Sequence, residues 1–230
     1  MIKMKLSIII PVFNEERTVK EILSRVRQVK LNKEIIVVDD CSTDNTIEVL
    51  NKIKGIKIIK HKKNQGKGGA IRTGLSSATG DVLTIQDADL EYEPHEFERM
   101  LKVIEEGKSQ VVYGSRFMGK RLEKKQFKIP THYIGNVSLS VITSILFRKW
   151  VSDMETCYKM MTREVYEKIE LKSKGFEIEP EITAQIIKKG YSIHEIPISY
   201  HPRNWKEGKK INWKDGIKAA AMLIKQRLTP

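Results

Sequence analysis

Asp87-Ala88-Asp89, with Glu91 two residues on, follows directly after the apolar run Val82–Ile85. Two carboxylates at i and i+2 on a tight turn can converge on one hard cation, and Glu91 offers a third oxygen donor. Mg2+ or Mn2+ held by one or two carboxylates completes its shell with water and substrate phosphate. The same pattern has a plain structural use, as a helix-capping turn ahead of Pro94. A second group lies upstream. Asn64-Gln65-Gly66-Lys67-Gly68-Gly69-Ala70 sets three glycines and a lysine before an expected helix start, where backbone amides can approach an anion closely and Lys67 adds positive charge. It is neither a GxxxxGK[ST] loop nor a GxGxxG fingerprint, and a glycine-rich turn accounts for it equally well. Asp39 and Asp40 end another apolar run; they can accept hydrogen bonds from a nucleoside base or ribose, or cap the next helix.

These groups can act together only if strands carry them to one edge. Leu6–Ile10, Glu34–Val38, Ile56–Ile59, Val82–Ile85 and Gln110–Tyr113 read as short buried strands. Between them lie helical patterns. Asn14 suits an N-cap for the helix carrying Val19, Ile22, Leu23 and Val26, with Glu15 and Glu16 in its first turn. Ser42 or Thr43 suits the cap of the next, residues 67–77 give a third, and Pro94 suits the first turn of a helix over 94–105. Strands alternating with helices imply βαβ units and a mostly parallel sheet, whose ligands sit beyond the carboxyl ends of the strands. Pro11–Glu15, Asp39–Asp40, His61–Lys67 and Asp87–Glu91 all fall at such ends. After residue 116 the spacing predicts helices over 131–149, Glu179–Lys189 (with Gly190 just past its end) and 212–227, and an edge strand Ile193–Ile198 that tolerates Pro197.

The 230 residues carry 42 Lys and Arg against 29 Asp and Glu, a net charge of +13. Residues 1–115 hold 19 basic and 17 acidic side chains, whereas residues 116–230 hold 23 and 12, so the second half is expected to meet something anionic. Only Cys41 and Cys157 are present, without metal-ligand spacing, which excludes a disulfide framework and suits a reducing cytosol. No signal-peptide pattern opens the chain and no run approaches about 18 apolar residues. Any membrane contact is therefore expected to be peripheral.

Pro11-Val12-Phe13-Asn14-Glu15, Val37-Val38-Asp39-Asp40-Cys41-Ser42-Thr43-Asp44, Asn64-Gln65-Gly66-Lys67-Gly68 and Asp87-Ala88-Asp89, in this order and spacing, resemble the family-two inverting glycosyltransferases. Within them the chain is most similar to dolichyl- or polyprenyl-phosphate hexose synthases, over roughly residues 5–210. The resemblance implies an α/β GT-A fold, a Rossmann-like nucleotide-diphospho-sugar domain with a mostly parallel sheet flanked by helices. It implies one domain over 1–230, with a nucleotide-sugar half (1–115) and an acceptor half (116–230). Pro11, Phe13, Asn14, Glu15, Asp39, Asp40, Gly66, Lys67, Asp87 and Ala88 match positions that line the donor pocket, and Asp87, Asp89 and Glu91 the metal motif, for Mg2+ or Mn2+. A glutamine often stands where this chain has Glu91. Gly114-Ser115-Arg116-Phe117 resembles the segment whose arginine faces the acceptor phosphate, and Arg203 with Gly208-Lys209-Lys210 a loop that closes over the phosphates. The membrane-spanning C-terminal extension of some members is not expected here.

The implied reaction moves a hexose from a nucleotide diphosphate sugar, GDP-mannose or UDP-glucose, to a polyprenyl or dolichyl phosphate. The metal held at Asp89, together with Lys67, would stabilise the negative charge growing on the departing diphosphate. A lipid monophosphate is already ionised and needs no general base, whereas a sugar-hydroxyl acceptor in glycan synthesis would need one. Asp153 and Glu155 are the candidates for that base, or for binding a sugar hydroxyl, or are surface carboxylates. Arg116, Lys120, Arg121, Lys124, Lys125 and Lys128 are expected to face the anionic inner surface of the cell membrane, placing the protein in the cytoplasm at its periphery. The competing class is a basic nucleic-acid-binding module. Only Tyr200–Lys210 interleaves aromatics with cations as that class requires, and it leaves Asp87, Asp89 and Glu91 unexplained, so no nucleic acid is expected.

Overall fold

The structure, a computed structural model, describes residues 4–118, 130–203 and 213–229. Lys120, Arg121, Lys124, Lys125, Lys128, Gly208, Lys209 and Lys210 lie outside them. The described chain builds a seven-stranded sheet in the order β3-β2-β1-β4-β6-β5-β7. Its strands are β1 (Leu6–Val12), β2 (Lys33–Asp39), β3 (Lys57–Lys60), β4 (Val82–Ile85), β5 (Val111–Ser115), β6 (Lys159–Thr162) and β7 (His194–Pro197). The first four run parallel, each separated from the next by a helix: α1 (Val19–Gln28), α2 (Thr46–Asn51) and α3 (Gly66–Ser76). Leu6, Ile8, Ile9 and Ile10 on β1 are fully buried, because helices cover both faces of a central parallel strand and leave no wet side to alternate with.

The second half departs from pure βαβ order. β6 slots antiparallel between β4 and β5, and β7 pairs parallel to β5 at the sheet edge, where the missing N–H of Pro197 costs no ladder bond. β6 and the short α6 (Arg163–Lys168) after it are absent from the sequence reading. β6 is four residues long and starts with a lysine that is nevertheless fully buried, so neither period marks it. α4 (Glu96–Glu105), α5 (Pro130–Phe147), α7 (Ile178–Lys188) and α8 (Trp213–Leu228) complete the described elements. Gly190 ends α7 at φ +83°, and Tyr191 N–H donates back to the Ile186 carbonyl. Leu139 of α5, Ala184 of α7, Ala219 and Leu223 of α8 and Met154 form a second, smaller core beside the sheet.

Three local expectations are corrected. Asn14 does not cap α1: it sits at φ +54°, its Oδ1 accepts from Thr43 N–H at 2.8 Å, and the helix begins at Val19. Glu15 and Glu16 therefore belong to the preceding turn. Asp44, rather than Ser42 or Thr43, accepts from Thr46 N–H at the start of α2, while Ser42 Oγ accepts from Asn14 N–H. Pro94 stands two residues ahead of α4.

Candidate active site

The four parallel strands end on one side, so the turns after β1, β2, β3 and β4 are neighbours. Asn14 and Glu15 are bonded to Ser42, Thr43 and Thr46, which ties the first turn to the second. Asp39 is fully buried; its Oδ1 accepts from Ser42 N–H at 3.3 Å, and its Oδ2 is enclosed without a hydrogen-bond partner. A buried carboxylate oxygen left unpaired is costly unless a ligand completes it.

Asp40 has a different part from the one its position implies. Its Oδ1 accepts from Gln65 N–H (2.8 Å) and faces His61 Nδ1 (2.7 Å), and its Oδ2 accepts from Gly66 N–H (2.7 Å). The anion at the start of α3 is thus Asp40 itself, and the Gln65 and Gly66 amides are already occupied by it. Gly66 likewise serves packing. It lies at φ +80°, and a Cβ there would collide with the Lys174 carbonyl. At Gly68 a Cβ would stand 2.6 Å from the Ser173 carbonyl. The glycine run lets α3 press against the backbone before α7.

Lys67 projects from this turn to 2.9 Å from Asp87 Oδ2 and 3.2 Å from Glu179 Oε1. Burial alone would lower its pKa, but Asp87 and Glu179 more than offset that and hold it well above the ordinary lysine value. Glu179 Oε2 in turn receives Lys159 at 2.6 Å. Lys159 also donates to the Met154 and Thr156 carbonyls, so one buried chain of alternating charges runs from Asp87 to the segment bearing Glu155. Sequence reasoning missed Glu179 and Lys159. The available signal was two acidic residues, Glu179 and Glu181, among the apolar residues that open α7.

Asp87, Asp89 and Glu91 do not meet at one point. Among the described residues, no group of three His, Cys, Asp or Glu side chains is placed to hold a metal. Glu91 is the departure: the chain passes through Leu90 at φ +64°, and both Glu91 oxygens are engaged, one by Tyr200 Oη and one by Arg203 N–H, each at 2.8 Å. Glu91 therefore anchors the Tyr200–Arg203 segment. Asp89 stays close to the cluster, its pKa pushed up to about 7 by burial and by the charges of Asp87 and Glu91, against the pull of Arg203. The cation beside Asp89 is that arginine. Its guanidinium lies 3.4 Å from Asp89 Oδ2 and 3.6 Å from Glu15 Oε2, with the buried Nε making no hydrogen bond and lying 3.9 Å from Glu91 Oε1. The hard carboxylate oxygens of Asp87 and Asp89 are of the kind that could hold Mg2+ or Mn2+.

On the other flank, Arg116 is clamped by Asp153. Nε and Nη2 each donate to one carboxylate oxygen at 2.7 Å, and the Arg116 N–H adds a third bond at 2.9 Å. Asp153 is wholly buried in this fork. It has no oxygen to offer an acceptor proton, so its reading as a base is replaced by one in which it orients Arg116. The guanidinium stands over the Tyr200 and Phe117 rings, 5.1 and 5.4 Å from their centroids. Glu155 contrasts with its neighbour. Its Oε1 is buried without a partner, and burial lifts its pKa to about 7 even though Lys159, Arg116 and Lys67 oppose the rise. Pro11 and Phe13 are half-buried at the rim and Ala88 is buried in the turn between the aspartates.

Residues 7–170 match the model of glycosyl transferase family 2. The chain belongs to this family. It is 33% identical over 218 residues to a dolichol-phosphate mannosyltransferase of Pyrococcus furiosus, covering 90% of this chain but only 59% of that protein's length. It is 28% identical over 214 residues to a UDP-N-acetylglucosamine–dolichyl-phosphate N-acetylglucosaminyltransferase of Methanococcus voltae, with 83% of each covered. The crystal structure of glucosyl-3-phosphoglycerate synthase from Mycobacterium tuberculosis with Mn2+ and uridine-diphosphate-glucose superposes with a TM-score of 0.75 at 17% identity, over 99% of this chain and 80% of that one. The family 2 chain thus has the GT-A fold expected from its motifs.

Proposed function

We propose that this family 2 glycosyltransferase moves a hexose from a nucleotide diphosphate sugar to a polyprenyl or dolichyl phosphate, with inversion at the anomeric carbon. The observation that carries the reading is the meeting of Asp87, Asp89, Lys67 and Arg203 at the carboxyl end of β4, with the Arg116–Asp153 fork beside it. The names of the two curated relatives, one for mannose and one for N-acetylglucosamine, agree on a dolichyl phosphate acceptor and differ on the sugar. Residues 1–115 form the donor half and 116–230 the acceptor half.

Asp87 and Asp89 would hold a divalent cation, which would supply positive charge toward the diphosphate. Lys67, kept protonated by its two carboxylates, stands where the diphosphate's negative charge builds. Asp39 Oδ2 accepts an N–H from the nucleoside base, while Asp40 only shapes the loop. Arg116, oriented by Asp153, meets the acceptor phosphate, and Arg203 adds positive charge beside Asp89. A phosphate oxygen attacks the anomeric carbon as the bond to the diphosphate breaks, and the nucleoside diphosphate leaves. With a second pKa near ~6 the phosphate needs no base. Attachment is peripheral; among the described residues no helix is long and apolar enough to cross a membrane.

One observation favours a second acceptor. Glu155, with Oε1 free of any hydrogen bond and its pKa raised by burial to about 7, suits a base for a sugar hydroxyl. A thermal-shift panel of nucleoside diphosphates with and without Mn2+ tests the shared donor chemistry. A rise in melting temperature that needs both components supports it, since a ligand bound only by the folded state stabilises that state. Equal rises with and without Mn2+ would count against Asp87 and Asp89 as ligands.

A further inference from the structure

The last helix has two apolar faces. Ala219 and Leu223 are buried against α5, and Gln226 is buried among Gln185 and Glu181. Opposite them, Ile217 is 59% exposed, Ile224 48% and Leu228 80%, with exposed Ala221 between. Those four positions, at i, i+4, i+7 and i+11, fall on one line at about 100° per residue. Lys218 and Lys225 flank the ridge on one side and Arg227 on the other, all exposed. The described residues of α8 hold a single acid, half-buried Asp215, 3.9 Å from Lys218. On the neighbouring α5, Val141 (42%) and Ile145 (73%) are also exposed, followed by exposed Arg148, Lys149 and Trp150.

An aliphatic ridge this exposed marks a surface that something covers. Its cations decide what. Two copies meeting face to face along the ridge would set Lys218, Lys225 and Arg227 against one another, a repulsive arrangement. A bilayer carrying anionic headgroups accepts both features at once, with aliphatic side chains entering the headgroup–acyl boundary and the flanking cations at headgroup level.

We infer that α8 lies in the plane of an anionic membrane surface, with Ile217, Ala221, Ile224 and Leu228 inserted and Lys218, Lys225 and Arg227 on headgroups. The purpose of this contact rests on the lipid-phosphate acceptor proposed above, but its test does not. The face packed on the protein is spared, so the triple variant Ile217→Ser/Ile224→Ser/Leu228→Ser keeps its fold, as its melting temperature will report. Vesicles of mixed phosphatidylcholine and phosphatidylglycerol should sediment the wild-type chain, and the variant's partition should fall at least tenfold. Hexose transfer to a short-chain polyprenyl phosphate in detergent should be unchanged, which separates attachment from catalysis. Lys218→Glu/Lys225→Glu should remove the preference for anionic over pure phosphatidylcholine vesicles. Unaltered partition of the triple variant overturns the inference. So does a wild-type dimer that the triple substitution dissociates while vesicle binding persists, because the ridge would then face a second copy.

Discussion

Replacing Lys159 by Met tests whether the buried charge chain behind the site is structural. Lys159 is fully buried, its ammonium 2.6 Å from Glu179 Oε2 and bonded to the Met154 and Thr156 carbonyls. Met fills nearly the same volume without charge, so no cavity term enters. Breaking a buried pair by removing one partner costs about 3–5 kcal/mol, because the remaining charge is left uncompensated. Glu179 keeps Lys67 at 3.2 Å, which places the expected loss at the low end, about 3 kcal/mol. For a chain of this length each kcal/mol lowers Tm by roughly 2–4 °C, giving roughly 6–12 °C. Urea denaturation followed by circular dichroism reads the loss directly. The double variant Lys159→Met/Glu179→Met should cost clearly less than the sum of the two singles, since the pair is then removed together. A Lys159→Met loss below about 1 kcal/mol, or strict additivity in the cycle, would refute the reasoning.

Three further outcomes follow from the geometry. Arg203→Ala should tighten binding of Mn2+ in the absence of nucleotide, measured by calorimetry, because the guanidinium now beside Asp89 competes with the metal; weaker or unchanged binding contradicts that competition. Glu34 lies at the far end of the sheet, where hydrogen bonds from Ser7, Thr79 and Lys5 outweigh desolvation and hold its pKa at about 2 against 4.5. A depressed carboxylate stabilises the fold fully above its unfolded value and loses that contribution as pH falls through the folded one. Glu34→Gln should therefore flatten the decline in stability between pH 4.5 and about 2, and an identical acid limb in both proteins speaks against it. Glu155→Gln should leave transfer to a phosphate acceptor within a few-fold of wild type; a collapse together with loss of the pH dependence near about 7 would favour the hydroxyl acceptor.

The strand ends were legible because a parallel sheet leaves its polar residues at one edge, and Pro11–Glu15, Asp39, Lys67 and Asp87 all lie there. What lay hidden was the use each group makes of its neighbours. Asp40 and Asp39 are adjacent and chemically identical, yet one closes the α3 turn through Gln65 and Gly66 while the other keeps a free oxygen. Asp153 and Glu155 divide in the same way, by whether Arg116 reaches them. Glu91 looked like a third ligand by spacing, but the positive φ at Leu90 turns it toward Tyr200. β6 was invisible because a buried lysine breaks its apolar run, and that lysine is stable there only because Glu179, more than a dozen residues later, supplies its partner.

Metal-assisted transfer to a lipid phosphate through Asp87 and Asp89 can be measured outright. Its direct test is to incubate the chain with radiolabelled nucleotide hexoses and a polyprenyl phosphate, then extract into organic solvent. With Mn2+ present, label should appear in the organic phase as the inverted anomer, and it should vanish with EDTA or in Asp89→Asn. Label reaching the lipid undiminished under EDTA and in Asp89→Asn would contradict it, as would label transferred only to a water-soluble sugar.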